Sequence, residues 1–393
     1  MTHMAAFRIM TRATSLSNED ADPNGRELKE GNLVRGESGV IRIGQSIASG
    51  GEGTIYSTDR NGKVAKIYLP KCRTTFRQAK VRKMAEAHLS CPGICFPEEV
   101  LYDLRGRFVG FLMDQAEGKT LAVTVMQPMR MKILFPEWDE KDSASLCRVI
   151  LEKVQYLHSM GIIMGDVNPG NILMKDSDTV CFVDTDSYQI EDFPCPVGKP
   201  DYTAPEMFHH GTVDYPRVLR TMDQDNYAVS VLLFQILIRG KSPYTAVGSG
   251  MSEHGTRIFP YREDGTDSGA IPPGKWNSYW CSLSKNIRKA FCSTFVAGEK
   301  HSAPGRRYSA LEWLSLVDSF QEELTGSDSQ KSGKKAQRAR KRLGGRTNAH
   351  RTGTAWTVTV CLLKAGFNIS LGIALAAHVS YFLHLAGYIS PLF

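Results

Sequence analysis

Met164-Gly165-Asp166-Val167-Asn168-Pro169-Gly170-Asn171-Ile172-Leu173 holds one acid, two amides and a Pro-Gly turn between apolar flanks. Before it, over Ser143–Met160, the residues Leu146, Val149, Ile150, Val154 and Leu157 recur at three- and four-residue steps. That is the stripe of an amphipathic helix. After it comes the β-prone run Val180–Val183, which ends in Asp184-Thr185-Asp186-Ser187. The quoted stretch is therefore a loop between a helix and a strand. Its geometry brings Asp166, Asn171 and Asp184 to one mouth, two from the loop and one from a strand end.

Toward the N-terminus the texture is different. Residues 1–36 are rich in Ser, Asn, Asp and Gly and read as a flexible leader. Short β-prone runs follow at Val40–Ile43, Thr54–Ser57, Val64–Ile67 and Phe108–Met113, with one basic, helix-prone stretch at Thr74–His88. Alternating strand signals with a single helix predict a small sheet lobe. Downstream, Tyr227–Ile238 is apolar nearly all round, which predicts a helix buried inside a larger helical lobe. The fold class is α+β and bilobal: a β-rich N-lobe over 37–113, a helical C-lobe over 119–324, and a ligand cleft between them.

Two N-lobe features face such a cleft. Ile47-Ala48-Ser49-Gly50-Gly51-Glu52-Gly53-Thr54-Ile55 sets glycines between two β-prone flanks. A hairpin of this kind lets backbone N–H groups approach phosphate oxygens closely. Lys66 follows 13 residues after Gly53, in Val64-Ala65-Lys66-Ile67, where a strand lysine acts as a point charge for phosphate. Phosphoryl transfer asks for positioned charge more than covalent chemistry. One carboxylate accepts a hydroxyl proton, and an amide and a second carboxylate hold a metal on the phosphates.

In order and spacing these pieces resemble the signature set of the eukaryotic-like Ser/Thr protein kinases, over about Val40 to Leu324. The resemblance implies ATP with Mg²⁺ or Mn²⁺ and a protein substrate. Asp166 would be the catalytic base, with Asn171 and Asp184 on the metal. Residues Ile47 to Ile55 and Lys66 would surround the phosphates. Phe111-Leu112-Met113-Asp114-Gln115 would be the hinge, with Met113 and Gln115 reading adenine. Ala204-Pro205-Glu206, Asp225 and Arg307 fall where the family has its A-P-E, its anchoring aspartate and the arginine that pairs with the A-P-E glutamate. The runs Gly165–Asn171 and Val183–Ile190 resemble a divergent bacterial branch whose members include helix-hairpin-helix-associated kinases. The alternatives are a pseudokinase scaffold that binds nucleotide, and a kinase of small molecules on the same fold.

The pattern is broken at several points. Ala48 replaces the first loop glycine, Gly165 the arginine before the base, Asn168 a lysine, and Thr185-Asp186 a Phe-Gly pair. Glu86, 20 residues after Lys66, is the candidate helix partner for that lysine, although it sits close to Cys91-Pro92, where the helix should have ended.

Charge separates body from tail. The formal net charge is +7, but residues 331–393 hold ten Lys and Arg and no acid, which leaves −3 for residues 1–330. A nucleic-acid-binding body is not expected. Nine cysteines without an N-terminal apolar segment suggest reduced thiols. Cys91 and Cys95 form an isolated C-x3-C pair, a weak candidate for zinc. A basic linker at 325–354 precedes an apolar tail at 355–393, long enough to span a bilayer over 365–388. The linker's cations predict a membrane-anchored protein with its kinase domain cytoplasmic, or a cytoplasmic protein if the tail does not insert.

Overall fold

The computed structural model describes residues 25–246 and 257–326. The N-lobe is built from six antiparallel strands: β1 (Leu33–Gly36), β2 (Gly39–Ser49), β3 (Gly53–Thr58), β4 (Lys63–Tyr68), β5 (Glu99–Tyr102) and β6 (Phe108–Asp114). They close on themselves in the order β1-β2-β3-β4-β6-β5. The inner positions Val34, Ile41, Ile43, Ala65, Ile67, Leu101, Val109 and Leu112 form one apolar core.

This corrects the expected leader. Leu33–Gly36 lies inside the stretch read as flexible, yet it pairs with β2, Val34 opposite Ile41, and meets β5 at Arg35 and Tyr102. Upstream of β1, the Leu28 carbonyl accepts the Tyr56 hydroxyl at 3.1 Å.

The N-lobe helix, α1 (Thr75–Glu86), starts where Thr74 caps the Arg77 N–H. It buries Lys80, Val81 and Met84. A lysine in a buried helix stripe requires polar partners, and it has them in the active-site cleft.

The C-lobe contains α2 (Pro128–Leu134), α3 (Glu140–Ser159), α4 (Met222–Leu237), α5 (Trp276–Ser282), α6 (Lys285–Phe295) and a last helix, α7, over 310–326. α3 opens with a capping box between Asp139 and Asp142. α4 begins five residues before the expected Tyr227, because Thr221 and Gln224 form a second capping box. Around its Phe234 pack the rings of Phe259, Tyr261, Trp280, Phe291 and Phe295. A small sheet of β7 (Lys119–Thr120), β8 (Ile172–Met174) and β9 (Val180–Phe182) carries the loop residues of interest at its ends.

No helix among the described residues is long and apolar enough to cross a membrane. The basic linker and the expected span at 365–388 lie outside the described residues. Among the described residues no group of three or more His, Cys, Asp or Glu is placed to hold a metal, Cys91 and Cys95 included.

Candidate active site

Between the lobes lies a cleft of about 1110 Å³. Its walls include Ala48 to Gly53, Ile55, Lys66, Arg77, Lys80, Asp166, Asn171, Asp184 and Asp186. Two lobes, one loop and one helix therefore meet where the sequence placed a ligand.

The roof is the β2–β3 hairpin. Ala48 pairs with Ile55 and Ser49 with Thr54, and the Gly50 N–H donates to the Gly53 carbonyl at 2.9 Å. Gly53 is required by packing: a Cβ there would lie 3.0 Å from Tyr68 Cα and closer still to the Ile67 carbonyl. Gly50 and Gly51 have open space around them. Glu52 at the tip forms a two-pronged ion pair with Arg77 of α1, at 2.7 and 2.9 Å. Ile47 and Thr54 are on the hairpin but not on the cleft wall. Ile47 is exposed, and the Thr54 hydroxyl bonds to Ser49.

Lys66 is 7% exposed. Its Nζ donates to Asp184 Oδ1 at 2.7 Å and to Asp186 Oδ1 at 2.6 Å. Burial disfavours the ammonium charge, yet the two carboxylates hold it above the ordinary lysine value. Asp186 also accepts the Tyr68 hydroxyl at 2.6 Å. Burial acts against its charge as well, but Lys66 keeps its carboxyl below the usual range. Glu86 is exposed at the end of α1 and does not meet Lys66. The buried polar group of α1 is Lys80, whose Nζ donates to the carbonyls of Ser187 and Pro194 at 2.9 Å each. Burial pushes Lys80 down to about 8.

The floor is the loop quoted first. Asp166 Oδ2 accepts from Asn168 Nδ2 at 2.8 Å and from Asn171 Nδ2 at 2.9 Å. Its Oδ1 is buried and has no hydrogen-bond partner. Burial raises the Asp166 carboxyl above its usual value, opposed by the Asn171 hydrogen bond and the charges of Lys199 and Arg220. Asn168 also accepts the Gly170 N–H at 2.9 Å, so the residue standing in place of a lysine ties the loop together. Asp184 sits at φ +56°, in the left-handed region, with its side chain 47% open to solvent. A non-glycine residue held there stores strain at a site that uses its direction.

Beneath the loop, Asp225 of α4 accepts the N–H groups of Met164 and Gly165 at 2.9 and 2.8 Å and is bonded to His158 at 2.9 Å. Arg307 grips Glu206 with two bonds, at 2.8 and 2.7 Å, and reaches Asp223 at 2.6 Å. Gly165, at φ +69°, leaves the space beside the loop to Arg220, which is buried and comes from the entry to α4.

Residues 43–309 match the family model described as protein kinase domain. The chain belongs to that family. Its relatives include the protein kinase YegI of Escherichia coli K12, 26% identical over 300 residues, which cover 72% of this chain and 45% of that protein. The serine/threonine-protein kinase PknD of Chlamydia pneumoniae is 27% identical over 327 residues, 73% of this chain and 31% of that protein. The calcium-dependent protein kinase SK5 of Glycine max is 25% identical over 221 residues, 53% of this chain and 40% of that protein. The chain thus spans less than half the length of these relatives. It is a divergent member of the kinase-like superfamily, similar to bacterial kinases, and the family fold is the bilobal one described here.

Of the two residues expected to contact adenine, Gln115 has its N–H engaged elsewhere. The Gln115 N–H donates to the Gly62 carbonyl at 2.9 Å and its side chain is exposed, so it is spent on the β3–β4 turn. The Met113 side chain is buried beside Val64, opposite it in the β4–β6 pairing. Half-buried Ile55, Ala116, Cys181 and Val183 pack against the apolar cluster to which Val64 and Met113 belong. Of these residues Ile55 lines the cleft; Ile55 and Met113 were expected from sequence, whereas Val64, Ala116, Cys181 and Val183 were not. Asp186, Lys80 and Arg220 were missed as well. Their only signals were a second acid two residues after Asp184, a cation in a buried stripe, and a glycine where an arginine is usual.

Proposed function

We propose that this protein kinase transfers the γ-phosphoryl group of ATP to a Ser or Thr hydroxyl of a protein. The supporting observation is the orphaned Oδ1 of Asp166, a buried acceptor in the cleft that also holds Asn171, Asp184 and Lys66. A buried acceptor without a donor is costly and marks a place for one; the incoming hydroxyl supplies it. Asp166 orients that hydroxyl and takes its proton, and the amides of Asn168 and Asn171 hold the carboxylate in place. Lys66 and the N–H groups around Gly50 to Gly53 bind the phosphates. Adenine lies beside Ile55 on the cleft wall, against the apolar cluster that holds Val64 and Met113.

One carboxylate, Asp184, and one amide, Asn171, make a hard oxygen donor set. That set fits Mg²⁺, which takes its remaining ligands from phosphate and water. When bound, the ion neutralises phosphate charge. The relatives named as serine/threonine kinases support the choice of acceptor. Ala48 and Asn168 point toward a nucleotide-binding scaffold, but the kinase relatives and the shared cleft of Asp166, Asn171 and Asp184 support the catalytic reading.

Asp166→Asn is the test. Radiolabel from γ-labelled ATP should cease to enter the protein, while nucleotide binding persists. The carboxyl's raised pKa means that its ionisation at neutral pH weighs against the folded state. The variant should therefore unfold at or above the wild-type temperature. Equal labelling of variant and wild type would remove Asp166 from the reaction.

A further inference from the structure

Lys66 has two carboxylate partners, and neither comes from an α-helix: Asp184 precedes, and Asp186 lies in, a single 3-10 turn over Thr185–Ser187. The two acids are placed differently. The Asp184 side chain is 47% open to the cleft, whereas that of Asp186 is 6% exposed. Both Asp186 oxygens are spent inside the protein, Oδ1 on Lys66 and Oδ2 on the Tyr68 hydroxyl, at 2.6 Å each. Asp184 has the freedom a metal ligand needs, and Asp186 has the fixity a support needs.

In most kinases the strand lysine pairs with a glutamate of the N-lobe helix, so moving that helix makes or breaks the pair. Here the acidic residue of α1 is Glu86, exposed at its last position. Facing the cleft, the helix instead carries Lys80, bonded to the carbonyls of Ser187 and Pro194. An acid at that position would face two carbonyl oxygens and be repelled. The negative partner of Lys66 has moved from the helix to the segment after Asp184.

We propose that Asp186 is the positioning residue for Lys66, set in place by Tyr68, so that the lysine is aimed by the metal-side loop and not by the helix. This rests on the reading of Lys66 as a phosphate-binding residue. A buried charge that loses its partner reorients or draws in water. Asp186 thus acts on the nucleotide through Lys66, without touching it. Its removal should weaken nucleotide binding by the fraction of Lys66 contacts that are lost.

A double-mutant cycle on the full chain separates these ideas, read as affinity for a fluorescent ADP analogue in the presence of Mg²⁺. Asp186→Asn and Lys66→Met should each weaken binding about fivefold or more, the scale of one charge-assisted contact. In the Lys66→Met background, Asp186→Asn should add less than about a twofold loss, since its effect travels through the missing lysine. Thermal unfolding of every variant establishes that it is folded. Tyr68→Phe removes just the second hydrogen bond to Asp186 and follows the same cycle with a smaller loss, so the inference stays testable if Asp186→Asn does not fold. Equal losses in both backgrounds, or no loss from Asp186→Asn in the wild type, would overturn the assignment of Asp186. No loss from Lys66→Met would instead strike the phosphate role of Lys66, and the inference with it.

Discussion

Replacing Gly165 with alanine tests whether this kinase has rebuilt the support of its catalytic loop around a different arginine. Gly165 sits at φ +69°, next to the base, with its N–H donated to Asp225. A Cβ there would lie 2.6 Å from Cys195 Cβ and closer still to Arg220 Nη1. Arg220 is poorly placed to yield. Its backbone N–H and carbonyl are bonded to the Gln189 side chain at 2.7 and 2.8 Å, and its Nη2 donates to the Val197 carbonyl at 2.6 Å. Its guanidinium also lies 4.8 Å from the Tyr215 ring centre. A left-handed backbone costs an L-residue about 1–2 kcal/mol. Overpacking a tight site adds about 1–3 kcal/mol. The total, about 2–5 kcal/mol, is a large part of a usual stability of about 5–15 kcal/mol. In a domain of this size it should lower the melting temperature by about 5–15 °C. Thermal and denaturant unfolding of Gly165→Ala, Arg220→Ala and the pair give the answer. The pair should be less destabilised than the sum of the singles by about 1–3 kcal/mol, because removing Arg220 clears the crowded space. Gly165→Arg, which restores the arginine usual in the family, should be worse than alanine. A Gly165→Ala protein melting within about 1 °C of wild type, or strict additivity, would refute the reasoning.

Two further outcomes follow from the same geometry. Because burial raises the Asp166 carboxyl, the proposed base should lose its charge, and kcat/KM should fall, as pH drops through a value above the ~3.9 of an ordinary aspartate. Arg220→Ala removes a charge that lowers that carboxyl and should move the acid limb upward. A pH profile that stays flat down to about 3.9 would contradict this. In the hairpin, Gly53→Ala should cost about 1–3 kcal/mol, since its Cβ would press on the β4 backbone. Gly51→Ala, facing open space, should stay within about 0.5 kcal/mol. Denaturant unfolding that finds the two equal would show the hairpin to be looser than described.

The polar residues that share the cleft were legible because each announces itself locally. Asp166 and Asn171 lie on one short loop, Asp184 ends an apolar strand, and the stripes of α3 and α4 repeat at helical spacing. What sequence hid was set by partners far along the chain. β1 is four residues long and makes sense only against β2 and β5. β5 begins with Glu99, an acid that reads as surface, yet its carboxylate is 7% exposed and accepts both the N–H and the hydroxyl of Ser38 at 2.9 and 2.6 Å. Gln115 was named for adenine without sight of the partner that engages its N–H. The strand ends at Asp114, and the next N–H turns back to Gly62, while Ala116 packs against the N-lobe apolar cluster.

The departures from the family pattern also explain one another. A kinase with an acid on its helix and glycine after the metal-side Asp-Phe pair has one carboxylate for its lysine. This chain has lysine on the helix and an acid after Asp184-Thr185. Changing Asp186 alone to glycine would leave Lys66 with Asp184, the residue a metal also needs, and would strip the buried Tyr68 hydroxyl of its acceptor. Changing Lys80 alone to glutamate would set a carboxylate against the Ser187 and Pro194 carbonyls. The first step takes one of its two carboxylates from a buried lysine; the second leaves a buried charge without a partner, a loss of about 3–5 kcal/mol. The segment after Asp184 is therefore tied to both lysines, by the Asp186 carboxylate to Lys66 and by the Ser187 and Pro194 carbonyls to Lys80.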